Sequence, residues 1–302
     1  MPTSADILNN AVKAGIVVPA FNVPYLPMVE PIIRAVVDLD CFALIEVARL
    51  EFIKFQSRSL AAVMEEFTQW SQPDYVRLHL DHVPVIDEDN LRVDYLAIIR
   101  QAIDLGYQSV MVDGSRLSLE DNIAATRQVV ELAHRAGIPC EAELGAVLGH
   151  EAGPLPPYDE LFESGRGFTD VHQAEQFVRA TGCDWLSVAV GSIHGAISGV
   201  LKDQKKVEAR LNLEHLARLH QATGGIPLVL HGGSGVKREY LLAGIKKGIA
   251  KVNIGTEIRQ AYEPALRATG HQAAAQEATY ERTGWLLRDY FSLAGTRKLI
   301  NP

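Results

Sequence analysis

A chain of 302 residues can bury a sizeable core, either as two ordinary domains or as one large α/β barrel. Its 47% hydrophobic and 22% charged composition is that of a globular protein, and a formal net charge of −8 argues against a nucleic-acid surface. It does not exclude an anionic substrate, because local backbone amides and a bound cation outweigh a diffuse negative field. Cys41, Cys140 and Cys183 form no disulfide framework or zinc-ribbon spacing, so a reducing compartment is expected. The amino terminus lacks a basic region followed by an apolar segment, and no apolar run approaches bilayer length. A cytoplasmic protein without membrane or nucleic-acid partners is the expectation.

In chain order, Thr3 or Ser4 caps a first helix over Ala5 to Lys13, which Gly15 stops. Strand candidates follow at Ile16–Val23, Phe42–Val47, Val76–Asp81, Gln108–Asp113, Pro139–Leu144, Asp184–Val190, Ile226–His231 and Ala250–Ile254. Between them lie amphipathic segments. Ser118–Ala136 has Leu119, Ile123, Thr126, Val130 and Ala133 at helical spacing, with Gly137 as stop. Others run near Leu91–Leu105, Asp170–Ala180 (Thr169 as cap) and Leu213–Ala222 (Asn212 as cap). Eight near-continuous apolar strands alternating with helices predict a (β/α)8 TIM barrel, with a doubly wound open sheet as competitor. No composition shift marks a second domain, so residues 1–302 read as one barrel with a helical extension from about 257. Between strand five and its helix, residues 145–167 carry five glycines and three prolines, a length that suits a lid.

The third strand ends in His79-Leu80-Asp81-His82, two imidazoles and a carboxylate just before turn material. Side chains alternate along a strand, so His79 and Asp81 share one face and His82 takes the other unless the chain is already turning. Strand six opens into Gly191-Ser192-Ile193-His194-Gly195 and strand seven into His231-Gly232-Gly233-Ser234-Gly235. Each histidine alone also fits a structural role. Three at homologous strand ends, flanked by small residues, match a catalytic metal site with an open coordination position. The glycine run after His231 can turn several backbone N–H groups toward an oxyanion, with Asn253-Ile254-Gly255-Thr256 opposite it. In barrels, phosphate often lies at the loops after strands seven and eight.

Together with Glu141-Ala142-Glu143-Leu144-Gly145 and the later Glu151, these motifs resemble the class II, metal-dependent ketose-bisphosphate aldolases, which include the fructose- and tagatose-bisphosphate enzymes. The likeness runs from about Phe21 to Thr256 and thins after about Arg259. It implies a lyase holding zinc, or another divalent cation, on His82, His194 and His231, with Glu143 near the metal's alternate position and room for a monovalent cation. Dihydroxyacetone phosphate would chelate the metal, its phosphate lying on Gly195, Gly232 to Ser234 and Asn253 to Thr256. A cation on both oxygens stabilises the enediolate that carbon–carbon cleavage leaves. Asp81 would exchange the C4 hydroxyl proton, Glu151 would transfer a proton at C3 and Asn22 would line the pocket. A homodimer or homotetramer is implied by the family alone. Glu141 is read as a solvated or capping charge.

Departures cluster on the acceptor side. Gly255 stands where the fructose-bisphosphate enzymes have an aspartate, and Glu46-Val47-Ala48-Arg49 replaces the usual Gln and Ser. Val83, Cys140 and Leu148 are lesser departures. The expected aldehyde is therefore not glyceraldehyde 3-phosphate, with Arg49 or Arg259 meeting another polar or anionic end, such as a carboxylate. Three rivals compete. A Schiff-base aldolase needs a lysine in the mouth, whereas Lys251 is read as entering strand eight from the opposite end. A barrel hydrolase is expected to show a His-x-His pair on strand one, which Phe21-Asn22-Val23 lacks. A non-catalytic sugar-phosphate-binding protein has no need of Asp81 and Glu151.

Overall fold

The computed structural model describes residues 1–145, 157–192, 208–233 and 235–302. Among them, eight parallel strands pair in chain order: β1 (Val18–Asn22), β2 (Ala43–Ala48), β3 (Val76–Pro84), β4 (Ser109–Asp113), β5 (Cys140–Leu144), β6 (Trp185–Val188), β7 (Leu228–Leu230) and β8 (Ile249–Ile254). β8 returns to β1, with Ala20 beside Asn253, so the sheet is a closed (β/α)8 barrel and not an open doubly wound one. The strands are almost wholly buried because helices cover one face and the barrel lumen is filled on the other.

The caps explain most helix boundaries. Thr3 accepts from Asp6 N–H and Gly15 adopts φ 65°, fixing the helix Ser4–Ala14. Ser118 caps Leu119–Arg135 and Asn212 caps Leu213–Ala222 as expected. The helix expected from Leu91 instead starts at Tyr95, where Asp94 caps it. Its missing first turn is a separate loop in which Asp87 accepts from the N–H groups of Asp89 and Leu91. The span 145–167 is not loop throughout. Tyr158–Ser164 is helical, entered from Pro157, with Asp159 and Glu160 in its first turn and Gly165 ending it; residues 146–156 lie outside the described residues. The segment after β8 is helical at Thr256–Thr269, Gln272–Trp285 and Arg297–Ile300. Arg34, on the helix Val29–Asp38, lies over the Tyr280 ring at 4.2 Å and pairs with Glu277, docking Gln272–Trp285 onto the barrel. No helix among the described residues is long and apolar enough to cross a membrane.

The lumen changes character along its axis. At the amino ends of the strands Val18, Ala20, Leu44, Trp185 and Val229 pack against Ile7, Leu8 and Ala11 of the first helix, which plugs that end. Each of the larger aliphatic side chains here, Val18, Leu44, Val229, Ile7 and Leu8, contributes about 1.5–3 kcal/mol by its burial. Above this layer the lumen turns ionic, with Glu46, His79, Glu141 and Lys251 all fully buried. The functional end therefore rests on a dry floor.

Thr169, expected to cap the helix Val171–Thr181, leaves that task to Asp170, which accepts from Gln173 N–H. Its own hydroxyl donates to Leu144 O at 2.5 Å and accepts from Ala189 N–H at 2.8 Å, tying the exits of β5 and β6 together. Thr169→Val keeps the shape and strands both backbone groups. It is expected to cost about 1–3 kcal/mol, read as a lower urea midpoint at unchanged slope; an unaltered midpoint would contradict the assignment.

Candidate active site

Simple alternation would send His82 away from Asp81, and the structure departs from it. β3 pairs regularly with β4 at Leu80–Val110 and resumes at Val83–Val112, so Asp81 and His82 together face the single residue Met111. This is a bulge, and His82 adopts φ 34°, uncommon for a residue with a side chain. The extra residue turns His82 back toward the barrel axis, so Asp81 and His82 serve the same mouth.

There the His82 and His231 rings lie edge to face, 4.4 Å between centroids. Asp113 Oδ2 is 3.3 Å and Glu143 Oε2 3.8 Å from His82 Nδ1, while the same Glu143 oxygen is 3.2 Å from His231 Nδ1. One potential ligand atom from each of Asp81, His82 and His231 lies within 4.8 Å of the others, and so do those of His82, Asp113 and Glu143. Burial works against positive charge on His82, yet Asp81, Asp113 and Glu143 hold its pKa well above the ordinary value. For His231, burial and His82 are likewise outweighed by Glu141 and Glu143, giving about 9. The mouth thus favours a cation. Its imidazole and carboxylate donors suit zinc or a similar divalent ion, so the residues fit the expected group.

Asp81 is 2% exposed, and each of its carboxylate oxygens takes one amide donor: Asn22 Nδ2 at 2.9 Å and Asn253 Nδ2 at 2.9 Å. Burial alone would raise its pKa, but His82, Lys251, His231 and His79 together drive it below the ordinary carboxylate range. The group is ionised and fixed in orientation. Beneath it, Lys251 Nζ lies 3.1 Å from Glu46 and 2.9 Å from Glu141. Lys251 does not enter from the far end: it is the third residue of β8, inside the lumen, and its Nζ reaches Asn253 Oδ1 at 2.7 Å. Burial would lower its pKa, but Glu141, Glu46 and Asp81 raise it above the ordinary lysine value, so no neutral amine is on offer for a Schiff base.

The glycine run after β7 has the geometry of a cradle. Gly232 adopts φ 67°, and a Cβ on Gly233 would sit 2.2 Å from Val252 Cγ1, so only glycine lets this backbone lie against β8. Gly255 precedes Thr256, the first residue of a helix whose opening amides lack intrahelical partners. Arg49 opens the helix Arg49–Lys54 directly after β2, and its guanidinium is 3.4 Å from Asp87. Arg259 is buried against Glu263 at 3.0 Å, and Glu263 also accepts from the Tyr25 hydroxyl at 2.6 Å. His194, Gly195, Glu151 and Ser234 lie outside the described residues.

Two residues escaped the sequence reading. Glu141 is neither solvated nor capping: it is fully buried, and its Oε1 is 2.8 Å from His231 Nε2. Burial would raise its pKa, but Lys251 and His231 bring it to about 2. Glu141 accepts from His231 Nε2–H, which turns Nδ1 toward Glu143, 3.2 Å away, on the side of His82. The other is Asp113, at the carboxyl end of β4, whose strand-end position was the available signal.

Comparison with known proteins agrees with this architecture. The family model for fructose-bisphosphate aldolase class-II matches residues 2–292, well past Arg259, where the recognisable motifs thin out. A fructose-bisphosphate aldolase of Streptococcus pneumoniae serotype 4 is 34% identical over 274 residues, 89% of this chain and 83% of its own. The crystal structure of the YdjI aldolase from Escherichia coli K12 superposes with a TM-score of 0.75 at 28% identity, covering 98% of this chain and all of that one. A putative fructose-1,6-biphosphate aldolase from Coccidioides immitis gives a TM-score of 0.76 at 27% identity, covering 98% of each chain. Closed barrel, imidazole–carboxylate mouth and whole-chain likeness converge: the chain belongs to the class II fructose-bisphosphate aldolase family of metal-dependent aldehyde-lyases.

Proposed function

We propose that this protein reversibly cleaves a phosphorylated ketose into dihydroxyacetone phosphate and an aldehyde other than glyceraldehyde 3-phosphate, using zinc held by His82, His194 and His231, with Glu143 beside it. The observation that carries the reading is Asp81, an ionised carboxylate fixed by Asn22 and Asn253 next to two imidazoles. A divalent cation on these histidines would polarise the ketone and offset the charge left on its oxygens. Asp81 accepts the C4 hydroxyl proton as the C3–C4 bond breaks and the C4 oxygen becomes the aldehyde. The electron pair stays on C3, where Glu151 returns a proton. The donor phosphate lies on Gly195, Gly232, Gly233 and Ser234, with Asn253, Gly255 and Thr256 opposite.

The acceptor side supports a different aldehyde. Ala48 stands beside Asp81 in the β2–β3 register and has no hydroxyl to offer a distant phosphate. A Cβ at Gly255 would lie 3.3 Å from Asn22 Oδ1, so glycine there leaves Asn22 uncrowded. Of the two arginines, Arg49 fits better: its side chain is 21% exposed and its 3.4 Å pair with Asp87 is weak enough to be exchanged for a ligand carboxylate. Arg259 is already committed to Glu263. The assembly we expect is a cytoplasmic homodimer or homotetramer.

Asp81→Ala should lower kcat by about 10²–10⁴-fold while bound zinc, measured by atomic emission, stays at the natural level; unchanged turnover would remove Asp81 from the chemistry, and no turnover in the natural chain either would favour a sugar-phosphate-binding protein. A panel of phosphorylated ketoses should show slow cleavage of fructose 1,6-bisphosphate and faster cleavage of a ketose ending in a carboxylate or another polar group. Brisk fructose 1,6-bisphosphate cleavage, matched by no alternative, would overturn the acceptor assignment.

A further inference from the structure

The geometry points to Lys251 as a positioning residue that orients both halves of the site at once, the metal-binding His231 through Glu141 and the proton-exchanging Asp81 through Asn253. This rests on the roles proposed above for His231 and Asp81. Lys251 is fully buried; its ammonium donates to Asn253 Oδ1 at 2.7 Å and pairs with Glu141 Oε2 at 2.9 Å and Glu46 Oε2 at 3.1 Å. Lys251 is 0% exposed, so among the described residues it meets the mouth through these partners.

The first arm acts on the metal side. Glu141 is gripped at Oε2 by Lys251 and presents Oε1 to His231 Nε2 at 2.8 Å. A carboxylate held at one oxygen fixes the tautomer and the plane of the ring it meets at the other, and so the direction of Nδ1. The second arm acts on the acid/base. Asn253 can face Asp81 with its amide oxygen or its NH₂ group, and the two orientations have opposite consequences. Because Lys251 takes the oxygen, Nδ2 is turned to Asp81 Oδ1 at 2.9 Å. With the amide reversed, its oxygen would face a carboxylate oxygen, a repulsive contact. One cation thereby sets two orientations, with Glu46 Oε2 beside it at 3.1 Å.

The test is zinc affinity of the purified full chain, by competition with a chromophoric chelator, alongside kcat and KM. Lys251→Met should weaken zinc by about 10–100-fold and lower kcat more than it raises KM, with secondary structure retained by circular dichroism. Lys251→Met combined with Glu46→Gln separates positioning from simple charge neutralisation. If Lys251 orients Glu141 and Asn253, the double variant stays defective; if it only neutralises Glu46, zinc affinity and kcat recover, which overturns the inference. Natural affinity and kcat in the single variant would overturn it too. Failure of both variants to fold would count against it as well, since the cation would then serve the barrel and not the site. A natural chain that binds no zinc would instead defeat the functional reading itself.

Discussion

An ammonium enclosed among carboxylates inside a closed strand barrel is the constraint that organises the upper half of this molecule. In a medium this poorly polarisable, stranding either sign of charge costs several kcal/mol per ion, and deleting one member of a buried pair costs about 3–5 kcal/mol. Lys251, Glu46 and Glu141, each fully buried, must therefore be assembled together. The apolar layer beneath keeps water from solvating them individually. The groups above inherit that order, because His231, Asn253 and Asp81 are each at most two polar contacts, hydrogen bond or ion pair, from the buried cation.

The site is uneven in how strongly it is fixed. Gly233 is wedged against Val252, and Asp81 is held at both oxygens. Ala48 and Gly255, by contrast, offer small surfaces, and among the described residues Arg49 pairs with Asp87 at a long 3.4 Å. Under the proposed reaction, a scaffold fixed at Asp81 and Gly233 but lined elsewhere by small residues and a weakly paired arginine can change its aldehyde without disturbing the chemistry.

Much of the barrel was legible in the sequence. Strand cores follow from continuous apolar runs, and Thr3, Ser118 and Asn212 cap where short polar side chains precede amphipathic segments. The strand-end histidines His82 and His231 were legible too. What was not legible depends on register. The inward turn of His82 comes from a bulge against β4, which no alternation along β3 reveals. Glu141 looked like a surface charge because its partners, Lys251 and His231, lie far along the chain and meet it only when the barrel closes. Thr169 has the composition of a cap, but the ends of β5 and β6 compete for its hydroxyl and win.

The first helix has a consequence for traffic. With the lumen filled by Glu46, His79, Glu141 and Lys251 and closed beneath them by Ile7, Leu8 and Ala11, the mouth has one open end. Anything released by breaking a bond inside it must leave by the rim through which the intact molecule entered. Under the proposed cleavage, the half of the sugar that lies deeper is then the half that leaves second.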